Sequence, residues 1–104
     1  MAYEYLLLDI ENNVATVTIN RPPVNPLNSV VFKELGNVID ELDQNEDVRV
    51  IVITGSGDRA FVAGADVGEM ANASLPEVTT MNKVSRGAFS KIENSTKPVI
   101  AAIN

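Results

Sequence analysis

The sequence predicts an α/β fold in the order β-β-α-β-α-β, and three features carry that reading. Residues 4–20 form two strand-like runs around an Asn12-Asn13 pair, as a hairpin does. Residues 29–44 place Val31, Leu35, Val38, Ile39 and Leu42 on one helical face. Residues 48–54, VRVIVIT, are a β-branched run apolar enough to lie centrally in a sheet. Strand, helix and strand in alternation imply parallel neighbours joined by right-handed crossovers.

Each element has a local reason. In residues 14–20, Val14, Thr16, Thr18 and Asn20 alternate with Ala15, Val17 and Ile19, the period of a strand. Residues 21–28, RPPVNPLN, hold three prolines and exclude regular structure. The helix from Ser29 to Gln44 can be capped by Asn28 or Ser29, and its outer face carries Lys33, Asn37, Asp40 and Glu41. Gly55, Gly57 and Asp58 end the next strand, and the loop 59–66 leads to a short helical turn at 67–70. Ser74-Leu-Pro-Glu77 reads as a helix start, with Ser74 capping and Glu77 reaching back. That helix extends to about Asn94 with Val78, Met81, Ser85, Ala88 and Ile92 inward, and Val99–Ile103 reads as a further buried strand. In α/β sheets the functional loop follows the C-terminal end of a strand. The sequence stops at Asn104, where the next such loop is expected, so residues 1–104 are expected to be the first part of a longer domain.

Composition narrows the chemistry. The chain has no Cys and no His, which excludes disulfides, thiolate nucleophiles and Ser-His-Asp arrangements, and it holds no metal-ligand cluster. Fourteen acidic residues against eight basic ones, a net charge of -6, argue against nucleic acid as a partner. The acidic run Asp40, Glu41, Asp43, Glu46 and Asp47 reads as a solvated helix end. No apolar run approaches the ~20 residues needed to cross a bilayer, and the N-terminus lacks a basic leader before a long apolar stretch. A cytoplasmic protein without a membrane partner is the expectation.

Three segments can carry function. In Ala60-Phe61-Val62-Ala63-Gly64-Ala65-Asp66, small residues after a buried strand let a ligand approach the backbone, and amides at a helix start can hold an oxyanion. The same pattern also suits a tight strand–helix turn in which Asp66 is a plain N-cap. Asn20–Asn28 is a stiff polar loop that can cradle an extended ligand or simply connect two elements; Arg21 and Lys33 are cations that can meet phosphates. Glu69 can act as a general base if desolvated, or sit as a first-turn helix acid. The glycines make neither of the common phosphate-binding loops, and Lys97-Pro98 reads as structural.

Taken together, Val17-Thr-Ile-Asn-Arg-Pro22 with Asn25-Pro-Leu27, Val50-Ile-Val-Ile-Thr-Gly55, Ala60-Phe-Val-Ala-Gly-Ala-Asp66 with Glu69-Met70, and Lys97-Pro-Val-Ile-Ala-Ala-Ile-Asn104 resemble the crotonase (enoyl-CoA hydratase/isomerase) family in order and spacing. The resemblance spans the chain but less than half of a family member. It implies a crotonase-like spiral of ββα units and assembly as homo-oligomers, trimers or hexamers. It implies an acyl-CoA thioester as substrate, with coenzyme A part of that substrate and no other cofactor. It places one oxyanion donor at the Ala65 backbone N–H, with Ala63, Gly64, Asp66 and Val67 along the adenine and pantetheine channel and Val24 and Pro26 bordering the CoA. The second donor and two acid–base glutamates are expected beyond Asn104. The leading expectation is hydration of a trans-2-enoyl-CoA by the full-length protein. The alternatives are another reaction of the family, such as isomerisation or thioester hydrolysis, and a non-catalytic acyl-CoA-binding or assembly module.

Overall fold

The computed structural model describes residues 3–104. Its elements are β1 (Leu6–Glu11), β2 (Val14–Ile19), α1 (Ser29–Asp43), β3 (Val50–Gly55), α2 (Val67–Ala71), α3 (Leu75–Glu93) and β4 (Val99–Ala102). The strands form one sheet in the order β1-β2-β3-β4. β1 and β2 are antiparallel from Leu6↔Ile19 to Glu11↔Val14. Asn12 and Asn13 close the hairpin with φ of 53° and 68°, the left-handed region that Asn tolerates. β3 runs parallel to β2, opening on Val14↔Val50, and β4 runs parallel to β3, opening on Ile51↔Val99. The expected α/β class and strand alternation are therefore present, with β3 central.

The helical face expected for α1 is the one it buries. Val31, Leu35, Val38, Ile39 and Leu42 lie against Ala15, Val17, Ile19 and Ile51 in one core. Burying each large aliphatic side chain contributes about 1.5–3 kcal/mol, so this layer holds the sheet and helix together. Asn28 caps the start: its Oδ1 accepts from the Val31 N–H at 2.9 Å. At the other end Lys97 Nζ, from the turn before β4, donates to the carbonyls of Leu42 and Asn45. A cation there meets the negative end of the helix dipole and adds a charged donor to carbonyls that also accept from turn amides, Leu42 O from Asn45 N–H and Asn45 O from Val48 N–H.

α3 begins with the capping box that its sequence announces, Ser74 and Glu77 serving each other. It packs on α1, with Phe32 and Phe89 edge to face at 5.5 Å between ring centres. Two expectations need correction. Of the side chains assigned inward on α3, only Ala88 is fully buried; Val78, Met81, Ser85 and Ile92 are half-exposed. The helix stands off from the sheet on α1, and a cavity lies beneath its first turns. β4 is also not a buried strand: Val99 is half-buried and Ile100, Ala101 and Ala102 are exposed. It pairs with β3 on one edge, and among the described residues no other strand flanks it. No helix among the described residues is long and apolar enough to cross a membrane.

Replacing Lys97 with Met keeps the aliphatic stem and removes a charged donor from two carbonyls. The expected loss is about 1–3 kcal/mol of unfolding free energy, measured as a shift in urea midpoint at unchanged slope.

Candidate functional site

Two loops, one after β2 and one after β3, lie side by side and make the site. The centre of the first is Asn25, fully buried and held at φ 55°. Its Nδ2 donates to the carbonyls of Ser56 (3.1 Å), Ala60 (3.2 Å) and Phe61 (3.2 Å). Its Oδ1 accepts from the Arg21 N–H at 2.9 Å and from Ser56 Oγ at 3.2 Å. The backbone joins in, with Asn25 N–H donating to Arg21 O and Ala63 N–H to Asn25 O. The side chain is therefore consumed by structure and is not a ligand for an extended substrate. The fold-back of the second loop also explains Gly55: a Cβ there would lie 2.2 Å from Phe61 O, closer than any real contact allows.

Two residues on, the loops meet in a short parallel bridge between Leu27 and Ala65. Leu27 N–H donates to Gly64 O at 2.8 Å, and Leu27 O accepts from Asp66 N–H at 2.8 Å. Both groups of Leu27 are thus paired with the neighbours of Ala65, and the Ala65 N–H faces the other way. The planar Gly64–Ala65 peptide enforces this, because the C=O bound to Leu27 and the N–H of Ala65 point in opposite directions. Among the described residues the Ala65 N–H has no hydrogen-bond partner. Gly64 reaches this geometry at φ 103°, which a side chain disfavours. The sequence suggested an amide at a helix start; the structure places Ala65 just before the cap of α2, so the outward N–H comes from the bridge.

A cavity of about 350 Å³ opens beside Ala65. Its walls are mostly apolar, with Leu27, Phe32, Val78, Met81 and Phe89, and its polar rim is Gly64, Ala65, Asp66, Ser29 and Glu69. A second groove of about 550 Å³ shares Ser29, Glu69 and Met81 but is not lined by Gly64 or Ala65. Of the residues singled out from the sequence, Gly64, Ala65 and Asp66 come together on the first cavity. Val67 is 75% exposed, Ala63 is exposed, and Val24 and Pro26 are half-buried in the first loop; none of these four lines it.

Neither carboxylate on the rim is idle. Glu69 accepts from the Ser29 N–H and from Ser29 Oγ, both at 2.9 Å, which supplies the start of α1 with an acceptor. It is half-buried and fully engaged rather than an exposed helix acid. Asp66 caps α2 through Oδ1, which accepts from Glu69 N–H at 3.1 Å, and pairs through Oδ2 with Arg21 Nη1 at 2.8 Å. The guanidinium hydrogen bond, followed by the backbone bond from Glu69, holds the Asp66 carboxyl below its ordinary pKa. Arg21, one of the cations that could have met a phosphate, has its guanidinium committed to Asp66 and to Pro26 O and stacked over Tyr5. Lys33 is exposed on α1. Sequence reasoning did not single out Asn25 or the Ser29–Glu69 pair. An Asn between prolines, where the chain must turn, is the signal that was there to be read.

Asn25→Ala leaves three carbonyls without this donor and is expected to cost at least about 2 kcal/mol, read from the urea midpoint. Because the Asp66 pKa is depressed by folding, its pair stabilises above the ordinary carboxylate range and fades as pH falls below about 4. Asp66→Asn is thus expected to melt lower than the parent at pH 7, with the gap closing towards pH 3 in a thermal series.

Comparisons with known proteins identify the family. The sequence profile of the family described as Enoyl-CoA hydratase/isomerase matches residues 9–104. The chain is 40% identical to the short-chain-enoyl-CoA hydratase of Clostridium acetobutylicum, over all of this chain and 40% of that protein. It is 40% identical to the crotonyl-CoA hydratase of Syntrophomonas wolfei over the same shares. Among solved structures, DspI of Pseudomonas aeruginosa superposes with a TM-score of 0.95 at 28% identity, covering all of this chain and 40% of that one. An enoyl-CoA hydratase from Bacillus anthracis gives 0.92 at 31% identity, covering 97% and 40%. The chain thus spans about two-fifths of the length of these relatives. With the family profile covering nearly all of it and the crotonase fold matched from end to end, the chain belongs to the enoyl-CoA hydratase/isomerase family.

Proposed function

We propose that the protein carrying this chain hydrates a trans-2-enoyl-CoA to the 3-hydroxyacyl-CoA, and that these residues supply one half of its oxyanion hole. The observation behind the proposal is the unpartnered Ala65 N–H, turned away from Leu27 by the bridge, on a residue that lines a largely apolar cavity. Adding water across the double bond places negative charge on the thioester oxygen as an enolate forms. An amide held in place before that charge develops stabilises it without reorganisation. The apolar walls suit an acyl chain and keep the local dielectric low, which strengthens the same hydrogen bond. The names of the two relatives at 40% identity favour hydration over other outcomes of such an enolate, and favour short acyl chains.

In this reading coenzyme A enters as part of the substrate, and no further cofactor is used. Gly64 and Asp66 lie beside the thioester, and Ala63, Val67, Val24 and Pro26 border the CoA along the outer loop surface. The second oxyanion donor and the two glutamates that handle water and the α-proton lie outside these residues, in a domain of which residues 1–104 form the first part. Full-length copies assemble as trimers or hexamers in the cytoplasm. The state of the two rim carboxylates supports this division of labour. Asp66 is paired with Arg21 and Glu69 accepts from Ser29, so both rim carboxylates serve to hold the loops and helix starts in place.

Two outcomes are expected. The purified 104-residue chain does not hydrate crotonyl-CoA, followed as loss of enoyl-thioester absorbance; turnover well above the buffer rate would sink the assignment of the acid–base groups to another part of the protein. In the full-length enzyme, Ala65→Pro removes the N–H but neither of the groups, Gly64 O and Asp66 N–H, that pair with Leu27. It is expected to lower kcat by about 10²-fold or more, and an unchanged kcat would mean that Ala65 is not the donor.

A further inference from the structure

The bridge that aims the Ala65 N–H is slight. It consists of two backbone hydrogen bonds, Leu27 to Gly64 and Asp66 to Leu27, in an isolated pairing outside the named strands. A ladder of that length has little cooperativity of its own. One side chain ties its two sides together at the level of Ala65. Arg21 Nη1 donates at once to Pro26 O (3.1 Å), the residue before Leu27, and to Asp66 Oδ2 (2.8 Å), the residue after Ala65. The guanidinium carbon sits over the Tyr5 ring, 5.3 Å from its centre, a cation–π contact that adds a further hold on the side chain. Asp66 cannot swing away easily, because its other oxygen caps α2 through Glu69 N–H.

We propose that Arg21 is a positioning residue for the oxyanion donor: by clasping Pro26 O and the Asp66 carboxylate together it holds the Leu27–Ala65 bridge closed and so keeps the Ala65 N–H aimed at the thioester oxygen. The inference rests on the reading of Ala65 as that donor. Arg21 does not line the cavity beside Ala65, so its effect on ligand passes through the bridge. A half-buried ion pair at the protein surface contributes only modestly to global stability. Loss of Arg21 is therefore expected to leave the sheet intact while loosening one peptide.

The test uses the full-length protein, ²H,¹⁵N-labelled, its Arg21→Met and Arg21→Lys variants, and Asp66→Asn, which breaks the same pair from the other side and retains a capping oxygen. Amide exchange is measured without ligand, and crotonyl-CoA is then titrated. The expected result for Arg21→Met is exchange at Leu27 and Asp66 faster by about 10-fold, with β2 and β3 amides exchanging as in the parent. The crotonyl-CoA-induced shift of the Ala65 amide shrinks, and affinity falls by about 10-fold. Arg21→Lys recovers part of both effects, and adding Asp66→Asn to Arg21→Met brings little further change. Should Arg21→Met not fold, Asp66→Asn alone reads the same amides. If the Leu27 and Asp66 amides exchange as in the parent, or Ala65 responds to crotonyl-CoA unchanged, Arg21 is only a surface ion-pair partner and the proposal is wrong. If the Ala65 amide of the parent chain does not respond to crotonyl-CoA at all, the oxyanion reading itself falls, and the positioning role with it.

Discussion

Asn25 Nδ2 faces three carbonyls, those of Ser56, Ala60 and Phe61, and no water competes for it because the residue is fully buried. Buried polar groups left unpaired are costly, so the two N–H bonds of this amide, shared among the three carbonyls, favour the arrangement in which the loops meet. That condition brings the loop after β2 against the loop after β3. The Leu27–Ala65 bridge, the Arg21–Asp66 pair and the Ser29–Glu69 contact all lie downstream of it. The site is therefore an outcome of polar satisfaction, whereas the scaffold under it, α1 on the sheet, is an outcome of apolar burial.

The two kinds of order suit different tasks. A packed aliphatic layer resists change but cannot direct an N–H. A bridge of fixed peptide planes can, since the orientation of one carbonyl dictates that of the amide on the same peptide. The cavity follows from α3 resting on α1 instead of on the sheet. Phe32 and Phe89 meet edge to face at its far end, and the half-exposed Val78 and Met81 give it an apolar wall. α3 gives the cavity Val78, Met81 and Phe89 but no residue of the Gly64–Asp66 rim, so this part of the wall can vary without disturbing those residues.

Much of this was legible from the residues. The α1 face, the Asn12-Asn13 turn, the Ser74–Glu77 capping box and the central placement of β3 are local patterns with local causes, and the structure has all of them. The burial of β4 and of the inner face of α3 was misjudged for one reason. Apolar character marks what a side chain prefers, but whether it is covered depends on which neighbour reaches it, and that is a tertiary fact. The resemblance in the loops pointed to Ala65, and the structure supplies a cause for its outward N–H that no spacing rule contains. Asn25 was read only as part of a stiff polar loop, Glu69 as a candidate base and Arg21 as a cation open to phosphate. Their engagement with Ser56, Ser29 and Asp66 joins segments far apart in the chain, beyond the reach of a reading that moves along it.

The parallel arrangement of β2, β3 and β4 has a consequence in time. Val14 finds Val50, and Ile51 finds Val99, only after a long crossover has closed, while β1 and β2 meet across a two-residue turn. Closing long loops before their contacts form is slow, so the hairpin can zip early and the parallel pairs must wait. The two loops that cradle Ala65 hang from the ends of β2 and β3, and they cannot be brought together until those strands are in register. During synthesis and refolding alike, the corner around Ala65 is thus a late arrival: a nascent chain that has made its hairpin and its first helix has not yet brought the two loops together.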